Sequence, residues 1–168
     1  MSKDTLAKPK KFDTSKSISN ASKVKSSKQK TWSIMFTKKE VAWSENIERI
    51  ALIRAGLPYE TIEVLSKKAN LSVTQLLQLL GLPQTTYNKK KRENNILNRR
   101  DSEILLVLNE LLEYGFSVFN NEENKFHNWL TKANISLGGV APKSLFDSLT
   151  GIEEVKNCLN RLEYGNLA

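Results

Sequence analysis

The sequence predicts an all-α fold, on three observations. From Trp32 onward apolar residues recur at three- and four-residue spacings. The tripeptide Gly-Leu-Pro stands twice between such stretches, at 56–58 and at 81–83. No segment shows the apolar–polar alternation of a β-rich chain.

Residues 1–30 are set apart by composition. They hold nine Lys against Asp4 and Asp13, a net +7, together with seven Ser and only scattered apolar side chains (Leu6, Phe12, Ile18, Val24). A segment that can bury so little apolar surface does not offset its ordering entropy, so a disordered basic N-terminal tail is expected over residues 1–31. Two readings of it stand side by side: a solvated tail, or a basic arm that adds salt-sensitive affinity for nucleic acid. No apolar h-region follows the Lys residues, which excludes a secretory signal, and an Arg-free makeup disfavours a mitochondrial presequence.

The helices follow in order. Ile47, Ile50 and Ile53 with Ala51 mark a first apolar face that runs to Gly56-Leu57-Pro58. Ile62 and Leu65 mark a second helix, ending near Asn70. Ser72-Val73-Thr74-Gln75 is a capping-box arrangement that opens a short helix carrying Leu76, Leu77, Leu79 and Leu80. At both Gly-Leu-Pro sites the Gly is expected to end a helix in the left-handed conformation and the Pro to start the next. Asn98-Arg99-Arg100-Asp101 reads as another N-cap with an acid at N3. It starts the clearest stripe in the chain: Ile104, Leu105, Val107, Leu108, Leu111 and Leu112, with Phe116 and Phe119 placed to extend it. Phe126, Trp129 and Leu130 form a shorter face, and a loop with Gly138-Gly139 runs from Asn134 to Pro142. Leu145, Phe146 and Leu149 mark a short helix ended by Gly151, and Val155, Leu159 and Leu162 mark the last one. Trp32, Phe36 and Trp43 are an aromatic cluster with two readings, core packing or a contact between copies.

Composition removes several function classes. One cysteine, Cys158, excludes an internal disulfide framework and any Cys-based zinc site and fits a reducing compartment; one histidine, His127, excludes a multi-His metal centre. No apolar run approaches the ~18 residues of a membrane span, so a soluble, cytoplasmic protein with no membrane partner is expected. His127 is expected on an exposed turn, and Ser148 and Cys158 have no recognisable activating neighbours, so no catalytic residue, metal or cofactor is assigned and no enzyme is expected.

The net +8 is unevenly spread. Residues 31–100 carry +6 and residues 101–168 carry −5. Within the basic part, residues 72–92 read as a short helix, a Gly turn and a second helix with a polar, basic face: a helix-turn-helix. In that geometry the early residues of the second helix face base edges, so Gln84, Thr85, Thr86 and Asn88 are candidates to hydrogen-bond bases. Lys89, Lys90, Lys91 and Arg92 suit phosphates, with Arg99 and Arg100 placed to add to them. The other reading of this helix is a solvated basic face in an α-bundle. The acidic part reads, on physics alone, as a small helical bundle with a short tail and no assigned chemistry.

A family resemblance adds to this. The order Ala55-Gly56-Leu57-Pro58, Leu71-Ser72, Leu79-Leu80-Gly81-Leu82-Pro83 and Thr86, then Trp129-Leu130, Asn134, Leu137-Gly138-Gly139, Pro142, Gly151, Val155, Leu159 and Arg161-Leu162-Glu163-Tyr164-Gly165, resembles the Xre/ParS/MbcA-type antitoxins that pair with RES-domain toxins. The resemblance covers Ala55 to Ala168. It departs at Ala133, where the family often has Pro, and at Ala141, where it usually has Thr or Ser as a hydroxyl N-cap. It departs also at Asn88–Lys91, where Lys replaces the family's Arg and bidentate forks are lost. The long Lys tail is not part of the family pattern.

The resemblance implies a non-enzymatic inhibitor. It implies a helix-turn-helix domain over residues 32–100 and a small helical toxin-binding domain over residues 101–168. The implied partners are a cognate RES-domain toxin that consumes NAD or uses it to modify a target, operator DNA, and a second copy in a homodimer. The implied toxin-binding residues are Trp129, Asn134, Leu137, Gly138, Gly139, Arg161, Leu162, Glu163, Tyr164 and Gly165, with Asn166, Leu167 and Ala168 as a flexible plug at the toxin's active site. The alternative is a stand-alone helix-turn-helix repressor without a toxin partner. The charge split suits the first reading: an acidic end steers toward a basic cleft while the remainder faces DNA.

Overall fold

A computed structural model describes residues 31–36 and 39–165. The expectations for the tail and for the plug at Asn166, Leu167 and Ala168 lie outside the described residues.

The described chain opens with strands, where the helical reading from Trp32 is corrected. β1 (Trp32–Phe36) and β2 (Lys39–Trp43) form an antiparallel hairpin in which Trp32 faces Trp43 and Ile34 faces Val41. Ile34 and Phe36 are buried and Met35 between them is exposed, the two-residue period of a half-buried strand. Five residues per strand carry too few apolar positions for that period to declare itself before the strands pair. Trp43 is buried in the core, and its indole Nε1 donates to Glu110 Oε1 at 2.9 Å. Phe36 is buried as well and Trp32 is half-buried against the core, so Phe36 and Trp43 are core packing and Trp32 lies at its edge.

Seven α-helices follow among the described residues: α1 (Asn46–Ala55), α2 (Thr61–Ala69), α3 (Val73–Leu80), α4 (Gln84–Arg92), α5 (Arg99–Val118), α6 (Glu123–Thr131) and α7 (Leu149–Glu163). Two 3-10 turns, Ile135–Leu137 and Pro142–Leu145, connect α6 to α7. The expected helical class therefore holds, with the hairpin as an addition to it.

The 20-residue α5 is the spine. Asn98 caps it: its Oδ1 accepts from the Asp101 N–H at 2.8 Å and its Nδ2 donates to the Asp101 carboxylate at 2.9 Å. Ile104, Leu105, Leu108, Leu111 and Leu112 are buried, and the hairpin, α1, α2, α6 and α7 all pack on this helix. One continuous apolar core runs from Ile34 to Leu159. Helix α1 departs from expectation. It has no buried residue; Ile47 (65 % exposed) and Ile50 point to solvent, while Leu52 and Ile53 lean on the core and Arg49 pairs with Glu110 of α5 at 3.1 Å.

The two Gly-Leu-Pro sites turn out to be different devices. Gly81 takes the left-handed conformation (φ 66°, ψ 30°) and ends α3, with the Leu82 N–H returning to the Leu77 carbonyl at 2.9 Å. Gly56 has positive φ but extended ψ (80°, 144°), and a Cβ there would meet the Leu97 carbonyl oxygen at 2.6 Å. Leu57 is sewn to the start of α5 at both backbone groups: it donates to Ser102 Oγ at 2.9 Å and accepts from the Leu97 N–H at 2.7 Å. The first site is thus a strap, and the expected left-handed stop is found only at the second. Gly151 does not end a helix either. It lies in the first turn of α7, donating to Ser148 Oγ at 3.1 Å, where a Cβ would stand 2.0 Å from the Leu145 carbonyl oxygen.

Candidate functional site

The first candidate site is the α3–turn–α4 unit. Ser72 and Gln75 form the full capping box, Ser72 Oγ accepting from the Gln75 N–H at 3.2 Å and Gln75 Oε1 from the Ser72 N–H at 2.9 Å. Leu76, Leu77, Leu79 and Leu80 fix α3 in the core, and α4 is held by one buried side chain, Tyr87. A single inward anchor leaves the rest of α4 available. Gln84, Thr85, Asn88, Lys89 and Arg92 are exposed, and their three- and four-residue spacing places them on one face. Gln84 Nε2 donates to Asn88 Oδ1 at 3.1 Å, which aligns two amides along that face. Thr86, Lys90 and Lys91 flank it, half-buried.

Lys91 turns back to α2 and pairs with Glu63, which also accepts from the Tyr87 hydroxyl at 3.1 Å. The Lys91 hydrogen bond holds the Glu63 carboxyl below the usual carboxylate range. Burial, then the facing Glu63 charge, push the Tyr87 phenol up to about 12. This clamp sets how α4 sits on α2. No sequence pattern announced it, because Glu63 and Lys91 lie on different helices. Arg99 and Arg100 are exposed beside the unit, and Arg100 Nη1 donates to the Leu80 carbonyl at 3.4 Å.

The second candidate site is the distal end. Asn134 builds its loop: its N–H donates to the Val140 carbonyl at 3.0 Å, its carbonyl accepts from Gly139 at 2.9 Å, and its Oδ1 accepts from the Ser136 N–H at 2.9 Å. Its Nδ2 reaches Cys158 Sγ at 3.5 Å, tying the loop to α7. Leu137 leans on the core, while Gly138 and Gly139, both at positive φ, make the exposed return. Trp129 is half-buried and stacked on Phe126, ring centroids 6.1 Å apart at 18°. Arg161 is half-buried; Leu162, Glu163, Tyr164 (74 % exposed) and Gly165 face solvent. Glu163 is held from behind by Tyr114 of α5, whose phenol burial and that carboxylate push upward.

Two exposed apolar residues in this region were not singled out from sequence: Ile135, 95 % exposed, and Val140, 41 % exposed. The signal available was an apolar residue on each side of a polar Ser-x-Gly-Gly turn. His127, expected on an exposed turn, instead lies half-buried in α6 with Nε2 3.0 Å from the Lys68 carbonyl oxygen, an acceptor, so that nitrogen carries the proton. Among the described residues no group of three or more His, Cys, Asp and Glu stands where it could hold a metal ion, and no helix is long and apolar enough to cross a membrane.

Comparison with known proteins covers both sites in turn. Residues 48–109 match the antitoxin Xre-like helix-turn-helix domain. Residues 115–165 match the antitoxin Xre/MbcA/ParS C-terminal toxin-binding domain. An Antitoxin Xre of Photorhabdus laumondii is 21 % identical over 115 residues, 68 % of this chain and 78 % of the relative. An Antitoxin Xre of Yersinia enterocolitica is 22 % identical over 113 residues, 67 % of this chain and 76 % of the relative. A Prs ADP-ribosylating antitoxin of Sphingobium sp. is 26 % identical over 141 residues, 79 % and 89 % of the two chains. With a helix-turn-helix whose second helix is held by one buried tyrosine, and a toxin-binding domain built on Asn134 and α7, the chain belongs to the Xre/MbcA/ParS antitoxins of toxin–antitoxin systems.

Proposed function

We propose that this antitoxin neutralises a cognate NAD-consuming RES-domain toxin by placing the end of α7 and residues 166–168 over its active site, and represses its own operon through α4. In this reading residues 32–100 serve DNA and residues 101–168 serve the toxin. The protein acts in the bacterial cytoplasm as a homodimer that spans two half-sites, and it turns over no substrate itself. The observation that carries the reading is that the two matched domains present opposite chemistries. One is an exposed amide-and-cation face at Gln84, Thr85, Asn88, Lys89 and Arg92. The other is an acidic half that ends in exposed Leu162, Glu163 and Tyr164. Thr86, Lys90 and Lys91 complete the DNA face, and Trp129, Asn134, Leu137, Gly138, Gly139, Arg161 and Gly165 support the toxin face. The NAD chemistry rests on the Sphingobium relative, whose name speaks of ADP-ribosylation, a reaction that draws ADP-ribose from NAD.

Truncation after Leu159 tests the inhibitory end. The shortened chain is expected to keep its helical content and lose toxin neutralisation; full protection by it overturns the plug. Charge reversal at Lys89 and Lys90 tests the DNA face. Operator binding at physiological salt is expected to weaken, and unchanged binding removes α4 as the reader.

A further inference from the structure

Ile135 is the most exposed of the large apolar residues among those described, and its exposure is built in. It begins the 3-10 turn Ile135–Leu137, in which the other apolar residue, Leu137, leans on the core. The turn thus sorts its two apolar side chains, one inward and one outward. The loop is closed by the Asn134–Val140 bridge and by backbone bonds from Leu137 and Gly139 to the Asn134 carbonyl and from Gly138 to the Ile135 carbonyl, each 2.9–3.0 Å. Val140, at the other end of the bridge, is exposed beside it. A loop fixed in this way loses little conformational entropy when something docks on it.

Its position is equally specific. The Asn134–Cys158 contact seats the loop on α7, and Leu162, 36 % exposed, lies one helical turn beyond Cys158 on the same face. The apolar loop is therefore seated on α7 one turn before its exposed end, within residues 115–165 that match the toxin-binding domain.

We propose that Ile135, seconded by Val140, is an anchoring knob that enters an apolar pocket on the toxin beside the site covered by the end of α7. The knob rests on the proposed function, because its occupant is the same toxin. It supplies affinity through apolar burial, where the end of α7 supplies the block. Binding energy at an interface concentrates in residues that become fully desolvated in a well-packed pocket, and an exposed aliphatic side chain on a fixed loop can serve as such an anchor.

The test uses the full-length chain and the cognate RES-domain toxin of the proposed function, with binding measured by calorimetry and neutralisation scored separately. Ile135→Asp is expected to weaken toxin binding by about 30-fold or more. Its circular dichroism, melting temperature and operator affinity should be unchanged, since the side chain has no place in the core. Ile135→Leu is expected to restore binding. Val140→Asp is expected to have a smaller effect in the same direction. Ile135→Asp binding within twofold of the parent overturns the knob and leaves the proposed function standing. A lower solution mass of free Ile135→Asp, showing that a second copy covers the loop, also overturns it. A parent chain that does not bind that toxin at all overturns the proposed function itself, and the knob with it.

Discussion

The Tyr114 hydroxyl donates to the Glu163 carboxylate at 2.5 Å, so the C-terminal part of α5 holds the last residue of α7. Tyr114 is buried and Glu163 is exposed: the ring belongs to the core, and only its hydroxyl reaches the site. Tyr114→Phe keeps the ring and releases the carboxylate. The variant is expected to lose about 1 kcal/mol of stability and to show faster amide exchange over Tyr164–Gly165 than the parent, with weaker toxin binding. Burial and the facing carboxylate both raise the Tyr114 phenol, so its contribution is present below its ordinary value of 10.0 and is lost as pH climbs above it.

The Glu63–Lys91–Tyr87 clamp gives the seating of α4 a pH window. Glu63 is held below its ordinary value of 4.5, so its contribution is present above that pH and is lost as pH falls below it. Tyr87 is raised from 10.0 to about 12, so its contribution is present below 10 and is lost on the way to 12. Urea unfolding followed against pH is expected to show a plateau with losses on both sides. Glu63→Gln should flatten the acid side, and Tyr87→Phe the alkaline side.

Gly151→Ala is expected to destabilise the distal domain by about 1–3 kcal/mol, as overpacking does. The added methyl would stand 2.0 Å from a backbone oxygen, which cannot rotate away as a side chain can. The thermal melt should shift down, and the distal domain's amides should exchange faster than those of α3 and α4.

Trp43→Ala is expected to cost about 3–5 kcal/mol by leaving a large cavity under the hairpin, while the solution mass of the folded fraction is unchanged. A variant that stays stable and changes its mass would return Trp43 to a contact between copies.

Ala141 occupies the N-cap of the Pro142–Leu145 turn and makes no side-chain cap bond. Ala141→Ser should supply the missing hydroxyl and raise stability by up to about 1 kcal/mol, read from the melting temperature.

Local chemistry wrote the helix ends into the sequence. The Ser72–Gln75 box, the Asn98–Asp101 cap and the Gly81 stop involve residues within four or five positions of one another, so spacing reveals them. The α5 stripe was legible for a similar reason, since a 20-residue helix repeats its period often enough to be read. The hairpin was not legible: its alternation extends over five residues per strand and depends on pairing. Nor was the orientation of α1, since Ile47-Glu-Arg-Ile50-Ala-Leu-Ile53 carries apolar side chains on more than one side and only the packing against α5 selects Leu52 and Ile53. At the sites the residue types were readable and their settings were not. Lys91 was legible as a cation on the basic helix but not as a clamp partner of Glu63; Ile135 was not singled out and is the most exposed large apolar group described.

By itself the sequence determined the helical class, the helix-turn-helix punctuation, the split between a basic front and an acidic back, and the family. The first three are carried by local spacing or by composition, and the family by the resemblance of its ordered motifs. Tertiary structure decided which side chains hold the sites and which face outward. Glu63 meets Lys91 and Tyr87, Tyr114 meets Glu163, and Asn134 meets Cys158 across separations of 24 to 49 residues. Such contacts exist only once the helices have packed on α5, because their partners come together through burial of the shared core and not through any pattern along the chain.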